Sequence, residues 1–175
     1  MQKVDFRRHL AYVPQDVFLF SETIEENIRF GAVESDCDES CLQNAIDIAN
    51  LNRDLEQWPS GLATVLGERG VSLSGGQKQR VSLARALVRQ ADLFLLDDCL
   101  SAVDAETEHK IIEKLKQHLQ GKTAIIVSHR IAPLQFTDEV LVLDEGSVIQ
   151  KGTHESLLKE TGLYRQLYER QFEEE

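Results

Sequence analysis

The chain has 175 residues, 42% of them hydrophobic, and a formal net charge of -11. That length supports one domain with its own core, no run reaches the roughly 18 apolar residues that a membrane span needs, and the acidic balance excludes a broad surface for nucleic-acid backbone. Three cysteines, an odd number without regular spacing, make neither a disulfide framework nor a zinc site and point to a reducing compartment.

In chain order, "HLAYVP" alternates apolar side chains up to Pro14, a strand running into a loop that carries Gln15 and Asp16. Thr23 and Glu26 have capping-box spacing for a short helix ending near Gly31. From about Asp38 to Leu51, the positions Leu42, Ala45, Ile46 and Ala49 form a helical stripe. Residues 58–70 are irregular and glycine-rich, a connection or contact surface, with the single tryptophan, Trp58, expected to pack in or near a helical subdomain. After Gly76, the residues Val81, Ala84, Leu87 and Val88 recur at helical spacing, while Lys78, Arg80, Arg85 and Arg89 scatter over more than one face, as solvated or salt-bridged cations would.

"DLFLLD" is a continuous apolar run ended by carboxylates, the pattern of a strand buried on both faces of a parallel sheet. Residues 104–120 form a second amphipathic helix on Ile111, Ile112, Leu115 and Leu119, with Gly121 as its cap. "TAIIVSH" then reads as another buried strand. Strand, helix and strand make a right-handed β-α-β unit whose strand ends share the edge where open α/β sheets bind ligands. That edge collects Asp97, Asp98, Ser128 and His129. "EVLVLDEGSVIQKG" reads as two strands joined at Asp144–Gly146, followed by an amphipathic helix from His154 to Phe172 interrupted near Gly162.

Several of these residues carry chemistry. Ser74, Gly75 and Gly76 at a helix start can offer a hydroxyl and open backbone N–H groups to an anion, or can serve only as a serine-capped glycine turn. Asp97 at a strand end is suited to Mg2+, which takes carboxylates together with phosphate oxygens. Asp98 could orient or deprotonate a water, and His129 could hydrogen-bond a phosphate or that water; either could equally be structural.

The order of these segments resembles one family throughout. "LSGGQKQR" (Leu73–Arg80) is similar to the signature motif of ABC transporter nucleotide-binding domains, and "LFLLDD" (Leu93–Asp98) to their Walker B strand. "SAVD" (Ser101–Asp104) resembles the D-loop, His129 the switch histidine, and Gln15 in "YVPQD" the Q-loop glutamine. "TVLGERG" (Thr64–Gly70), "DVFLFSETIEENIRFG" and the ending "VIQKGTHESLLKETGLYRQLY" resemble the exporter branch. The resemblance implies an α/β fold of the partial P-loop NTPase, ABC ATPase type. Residues 1–19 and 91–175 would form a parallel-sheet core with a C-terminal helix, and residues of about 20–90 a helical signature subdomain. It further implies an ATPase powering export at the cytoplasmic face of a membrane, with ATP and Mg2+ as cofactors. Asp98, His129 and Gln15 would be catalytic, Gln15 and Asp97 would support the metal, and Ser74, Gly75, Gly76, Gln77 and Asp104 would close over an ATP held by a second nucleotide-binding domain. The membrane domains would dock around Gln15 and Thr64–Gly70, and no nucleic acid is expected as a partner.

Two departures from the family pattern matter. No "GxxxxGK[ST]" phosphate loop occurs in the sequence, so the chain resembles the C-terminal portion of such a domain, with poor ATP affinity of its own and uncovered core surface inviting an exposed edge or self-association. Asp98 stands where the family usually carries glutamate, a resemblance to the degenerate half of heterodimeric exporters that favours a heterodimer. A noncatalytic fragment acting as a dimerisation or regulatory module is the second expectation. ABC ATPases of DNA repair or translation form a third class, against which "GERG" and the negative charge weigh. The transported substrate would be chosen by membrane helices outside this chain.

Overall fold

The computed structural model describes residues 3–33, 37–67 and 72–173. These fall into two compact units, residues 1–127 and 128–175.

The first unit is organised by a three-stranded parallel sheet in the order β1 (Leu10–Val13), β2 (Leu93–Asp97), β3 (Thr123–Val127). Its register pairs Tyr12 with Leu95 and Leu95 with Ile125, and Asp97 with Val127. Side chains alternate across the sheet, so Ala11, Val13, Phe94 and Leu96 turn to one face, where all four are buried. On the other face Tyr12, Ile125 and Val127 are about half exposed, at 49%, 53% and 51%. The two-sided burial expected for these strands is therefore corrected: their apolar runs are continuous, yet only one face is covered. Among the described residues the sheet ends at β3, whose five residues carry neither charge nor proline.

Seven helical pieces build the rest of the described part of this unit: α1 (Lys3–Arg8), α2 (Ile24–Arg29), α3 (Glu39–Ile48), α4 (Asn52–Gln57), a single 3-10 turn (Gly61–Ala63), α5 (Gly75–Leu87) and α6 (Ala105–His118). The α2 start is a complete capping box, in which the Glu26 N–H donates to Thr23 Oγ1 and the Thr23 N–H to Glu26 Oε2. Both α1 and α4 escaped the sequence reading, because six residues are too few to display a helical period. Trp58 is buried, as expected. Helix α6 ends at His118 and the chain turns at Gly121 with φ 75, a left-handed conformation that glycine adopts without penalty.

The expectation of solvated or salt-bridged cations over residues 78–89 holds only in part, since Arg85 on α5 and Arg89 just beyond its end mainly bind backbone carbonyls. Arg85 donates to the Asn27 carbonyl, Asn27 Oδ1 and the Phe18 carbonyl at 2.7–2.8 Å, and its guanidinium lies 5.4 Å from the Phe20 ring centroid. Burial pushes its pKa below the usual arginine value. Arg89 donates to the carbonyls of Gly31 and Arg7. Guanidinium groups offer five N–H donors, and these two use them to tie α5 and the residues after it to carbonyls of α1, α2 and the segments beside α2. Asn27, fully buried, completes this clamp by accepting from the Phe20 N–H and donating to the Phe20 and Thr23 carbonyls.

The second unit is an antiparallel hairpin of β4 (Val140–Asp144) and β5 (Ser147–Gly152), followed by α7 (His154–Lys159) and α8 (Leu163–Glu173). Glu145 and Gly146 both have positive φ, 44 and 76, which suits a tight two-residue hairpin turn. The expected final helix is broken in two near Gly162, where a Cβ would overlap the Gln150 side-chain amide. Ile131, Val140, Val142, Leu157 and Tyr164 form this unit's core, and burial pushes the Tyr164 phenol up to about 12.

His118, at the end of α6, lies edge-on to Phe94 and bonds through Nε2 to Lys122 Nζ at 3.0 Å. Burial, with the Lys122 charge, pushes its pKa from 6.5 down to about 4. A lowered histidine pKa means that the unfolded chain binds the proton first, so stability is full above 6.5 and falls as pH drops from 6.5 towards about 4. Urea titrations across that range should show the loss, and His118→Gln should flatten the pH dependence while leaving its neutral-pH value nearly unchanged.

Candidate functional site: the signature turn and the strand ends

Because the three strands are parallel, Gln15, Asp97 and Asp98 lie at the same, carboxyl edge of the sheet. Gln15 is exposed two residues beyond β1, while Asp97 and Asp98 are half-buried. Asp98 has φ 47, and its N–H donates to the Val127 carbonyl at 2.8 Å. Aspartate tolerates this left-handed backbone better than most residues, which gives a local reason for aspartate rather than glutamate here.

Ser74 caps α5 through a second complete capping box. The Gln77 N–H donates to Ser74 Oγ at 3.2 Å, and the Ser74 N–H donates to Gln77 Oε1 at 2.9 Å. The N–H groups of Gly75 and Gly76 occupy the first two helical positions, where no carbonyl of the same helix can reach them. The turn thus presents two backbone donors, the Ser74 hydroxyl proton and the positive end of a 13-residue helix. The exposed Lys78 lies one turn further on.

The two glycines have a second role that sequence reasoning missed. A Cβ at Gly76 would stand 2.7 Å from the Ala102 carbonyl oxygen, and one at Gly75 would stand 3.3 Å from Ala102 Cβ. Small residues are needed because the Ser101–Asp104 loop packs directly on the start of α5. Buried Gln79 locks that contact, donating from Nε2 to Ser101 Oγ at 2.9 Å and accepting at Oε1 from the Ala102 N–H at 2.9 Å. Ser101 Oγ in turn donates to the Asp98 carbonyl at 3.0 Å. One glutamine therefore couples α5 to the loop that leaves β2. A glutamine three residues after a glycine pair was visible in the sequence, but nothing there marked it as buried.

Two of the expected ligand-binding residues have structural tasks. Gln77 spends its side-chain oxygen on the capping box and donates from Nε2 to Asp54 Oδ1 at 2.8 Å. Asp104 caps α6, and the N–H of Thr107 that it accepts at 2.9 Å holds its carboxyl below the usual range. His129 belongs to the second unit, where it is exposed and its carbonyl accepts from Gln171 Nε2. Of the Thr64–Gly70 segment, residues 68–70 lie outside the described residues. Thr64 is buried, and Val65 forms an isolated antiparallel bridge with Thr23.

The donors at the signature turn fit an anionic phosphate. At the strand ends the fit to Mg2+ is partial: no cluster of three or more His, Cys, Asp or Glu able to hold a metal occurs among the described residues. Asp97 would need phosphate oxygens beside it to complete a coordination sphere.

The family model described as ABC transporter matches residues 1–101, more than half of the chain. The chain belongs to the ABC transporter family. It is 48% identical over 165 residues to a probable multidrug resistance ABC transporter ATP-binding/permease protein, YheI of Bacillus subtilis, covering 94% of this chain and 28% of that protein. It is 41% identical to the ATP-dependent lipid A-core flippase of Alcanivorax borkumensis, covering 99% of this chain and 30% of the relative. A solved bacterial Atm1-family ABC exporter with ATP bound superposes with a TM-score of 0.85 at 37% identity, over 94% of this chain and 29% of that one. The fold is therefore that of an ABC exporter ATPase domain, of P-loop NTPase type, and the chain spans under a third of the length of the relatives it matches. Among the described residues of this ABC transporter chain, no helix is long and apolar enough to cross a membrane.

Gln79→Ala should strand the Ala102 N–H and loosen the loop on α5, lowering stability by about 1–3 kcal/mol in urea denaturation. A cost below about 0.5 kcal/mol would mean that the glutamine does not hold the loop.

Proposed function

We propose that this chain is the signature-bearing portion of the ATP-binding domain of an ABC exporter, and that its Ser74–Gly76 turn closes over an ATP held by a second nucleotide-binding domain. The observation that carries this reading is the capping box of α5, which sets the Gly75 and Gly76 N–H groups, without partners in their own helix, beside the Ser74 hydroxyl. These donors are preorganised, so they gain an anion without paying to order the turn.

In this reading Asp97 and Gln15 support Mg2+ at the chain's own strand ends, and Asp98 and His129 act on the attacking water as base or orienter. Mg2+, when bound, neutralises phosphate charge as it develops during transfer. The phosphate cradle must be supplied by polypeptide outside this sequence, which contains no phosphate loop. Asp98 is one methylene shorter than the family's usual glutamate, and a misplacement of about 1 Å can cost about a hundredfold in rate. The chain's own site is therefore the slow one, and its intact signature completes the competent site of a heterodimeric partner. Residues of about 20–90 act as the helical subdomain and the remainder as core.

A cleft of about 590 Å3, lined by Val17, Phe18, Phe20, Leu66, Leu73 and Lys78 among others, opens beside the Gln15 loop and the 64–67 segment. Its mixed lining of apolar side chains with Ser21, Ser72 and Lys78 suits an amphipathic segment of the transporter's membrane domains, and in this reading the chain works at the membrane's cytoplasmic face.

Calorimetric titration of Mg-ATP into the 175-residue chain should show no binding tighter than roughly millimolar, because the main phosphate donors are absent. Micromolar binding would overturn the division of labour proposed here. The noncatalytic second reading, favoured by the same missing loop, is tested in the assembled full-length transporter. There Asp98→Glu should raise ATP turnover at this chain's site, and unchanged turnover would assign the chain to a purely regulatory role.

A further inference from the structure

Asp54 lies on α4, twenty residues before the signature turn, yet its carboxylate is buried against the start of α5. Oδ1 accepts from Gln77 Nε2 at 2.8 Å and from Arg80 Nη2 at 3.1 Å, while Oδ2 accepts from Arg80 Nη1. Arg80 also donates to the Asn50 carbonyl at 2.8 Å, tying the guanidinium to the loop before α4. An ionised carboxylate is an acceptor only. Facing it, the Gln77 side chain can present only its NH2 group, which obliges its carbonyl oxygen to point the other way. That oxygen is the one that accepts from the Ser74 N–H at 2.9 Å. Turned over, the same amide would set NH2 against the Ser74 N–H, donor against donor, and the capping box would open.

We propose that Asp54 is a positioning residue for the signature turn: by fixing the orientation of the Gln77 amide, it holds the Ser74 backbone in place and so aims the Gly75 and Gly76 N–H groups at a phosphate. The last step rests on the phosphate role assigned to the turn above; the chain of bonds from Asp54 to Ser74 does not. Arg80 plays a different part, since its guanidinium supplies a counter-charge directly on the buried carboxyl group. Gln79, two residues from Gln77, faces the Ser101–Ala102 loop instead. The two glutamines divide the work, one setting the turn and the other setting the loop packed on it.

Amide hydrogen exchange and nitrogen-15 NMR on the 175-residue chain test this. In the unmodified chain the Gln77 side-chain NH2 should exchange slowly and the Ser74 N–H should be protected. A fast-exchanging Gln77 amide would overturn the proposal without any variant being needed. Asp54→Asn should accelerate Ser74 exchange about tenfold, the equivalent of one lost hydrogen bond. Arg80→Gln, which removes the charge but keeps a donor towards Asp54, should lower overall stability yet leave Ser74 protected relative to its α5 neighbours. Equal loss at Ser74 in both variants would reduce Asp54 to a merely structural partner of Arg80 and refute the positioning role. The phosphate reading is decided separately, by whether the Gly75 and Gly76 resonances shift when Mg-ATP is added together with a second nucleotide-binding domain that carries a phosphate loop. Absence of shifts in the unmodified chain would sink that reading and leave the exchange result to judge Asp54. Shifts of the same size and midpoint in Asp54→Asn would show that the turn is aimed without it.

Discussion

The arrangement of the first unit depends on burying α5. Val81, Leu83, Ala84, Ala86 and Leu87 all lie inside, and the helix packs on α2, α3 and β1. A helix buried around so much of its surface must satisfy its polar side chains internally, since each unpaired one costs about 1–3 kcal/mol. Its glutamines and arginines therefore become connections: Gln77 and Arg80 to α4, Gln79 to the loop after β2, Arg85 to the loop before α2. Arg80 is salt-bridged and Lys78 exposed, as the sequence suggested, while Arg85 departs from that reading by binding mainly backbone.

The first turns of α5 are tied to the end of β2 through directional bonds, running through Gln79 to Ser101 and the Asp98 backbone carbonyl. Glycines 75 and 76 let the Ser101–Asp104 loop approach the start of α5 closely, where any Cβ at Gly76 would overlap the Ala102 carbonyl.

The sheet shows the opposite condition. Tyr12, Ile125 and Val127 leave an apolar face half exposed, and among the described residues β3 ends the sheet without the charges or prolines that usually protect an edge. The relatives, more than three times as long, contain additional chain. A parallel sheet covered on one face is unusual, because crossover helices normally cover both. The expectation of a covered strand followed from local hydrophobicity, and that property is indifferent to whether a covering layer is present.

How much of this was legible in the sequence depends on the range of the interaction concerned. Elements of ten residues or more, the β-α-β unit and the order of motifs from Gln15 to His129 could all be read, because period, turn chemistry and capping are local properties written in consecutive residues. The family followed from that order. Tertiary structure alone decided which polar residues are buried. Nothing adjacent in the chain marks Asn27, Asp54 or Gln79, whose partners lie up to 58 positions away. Their roles arise where a second element brings an orphaned donor or acceptor within bonding distance, and only the folded chain creates that distance.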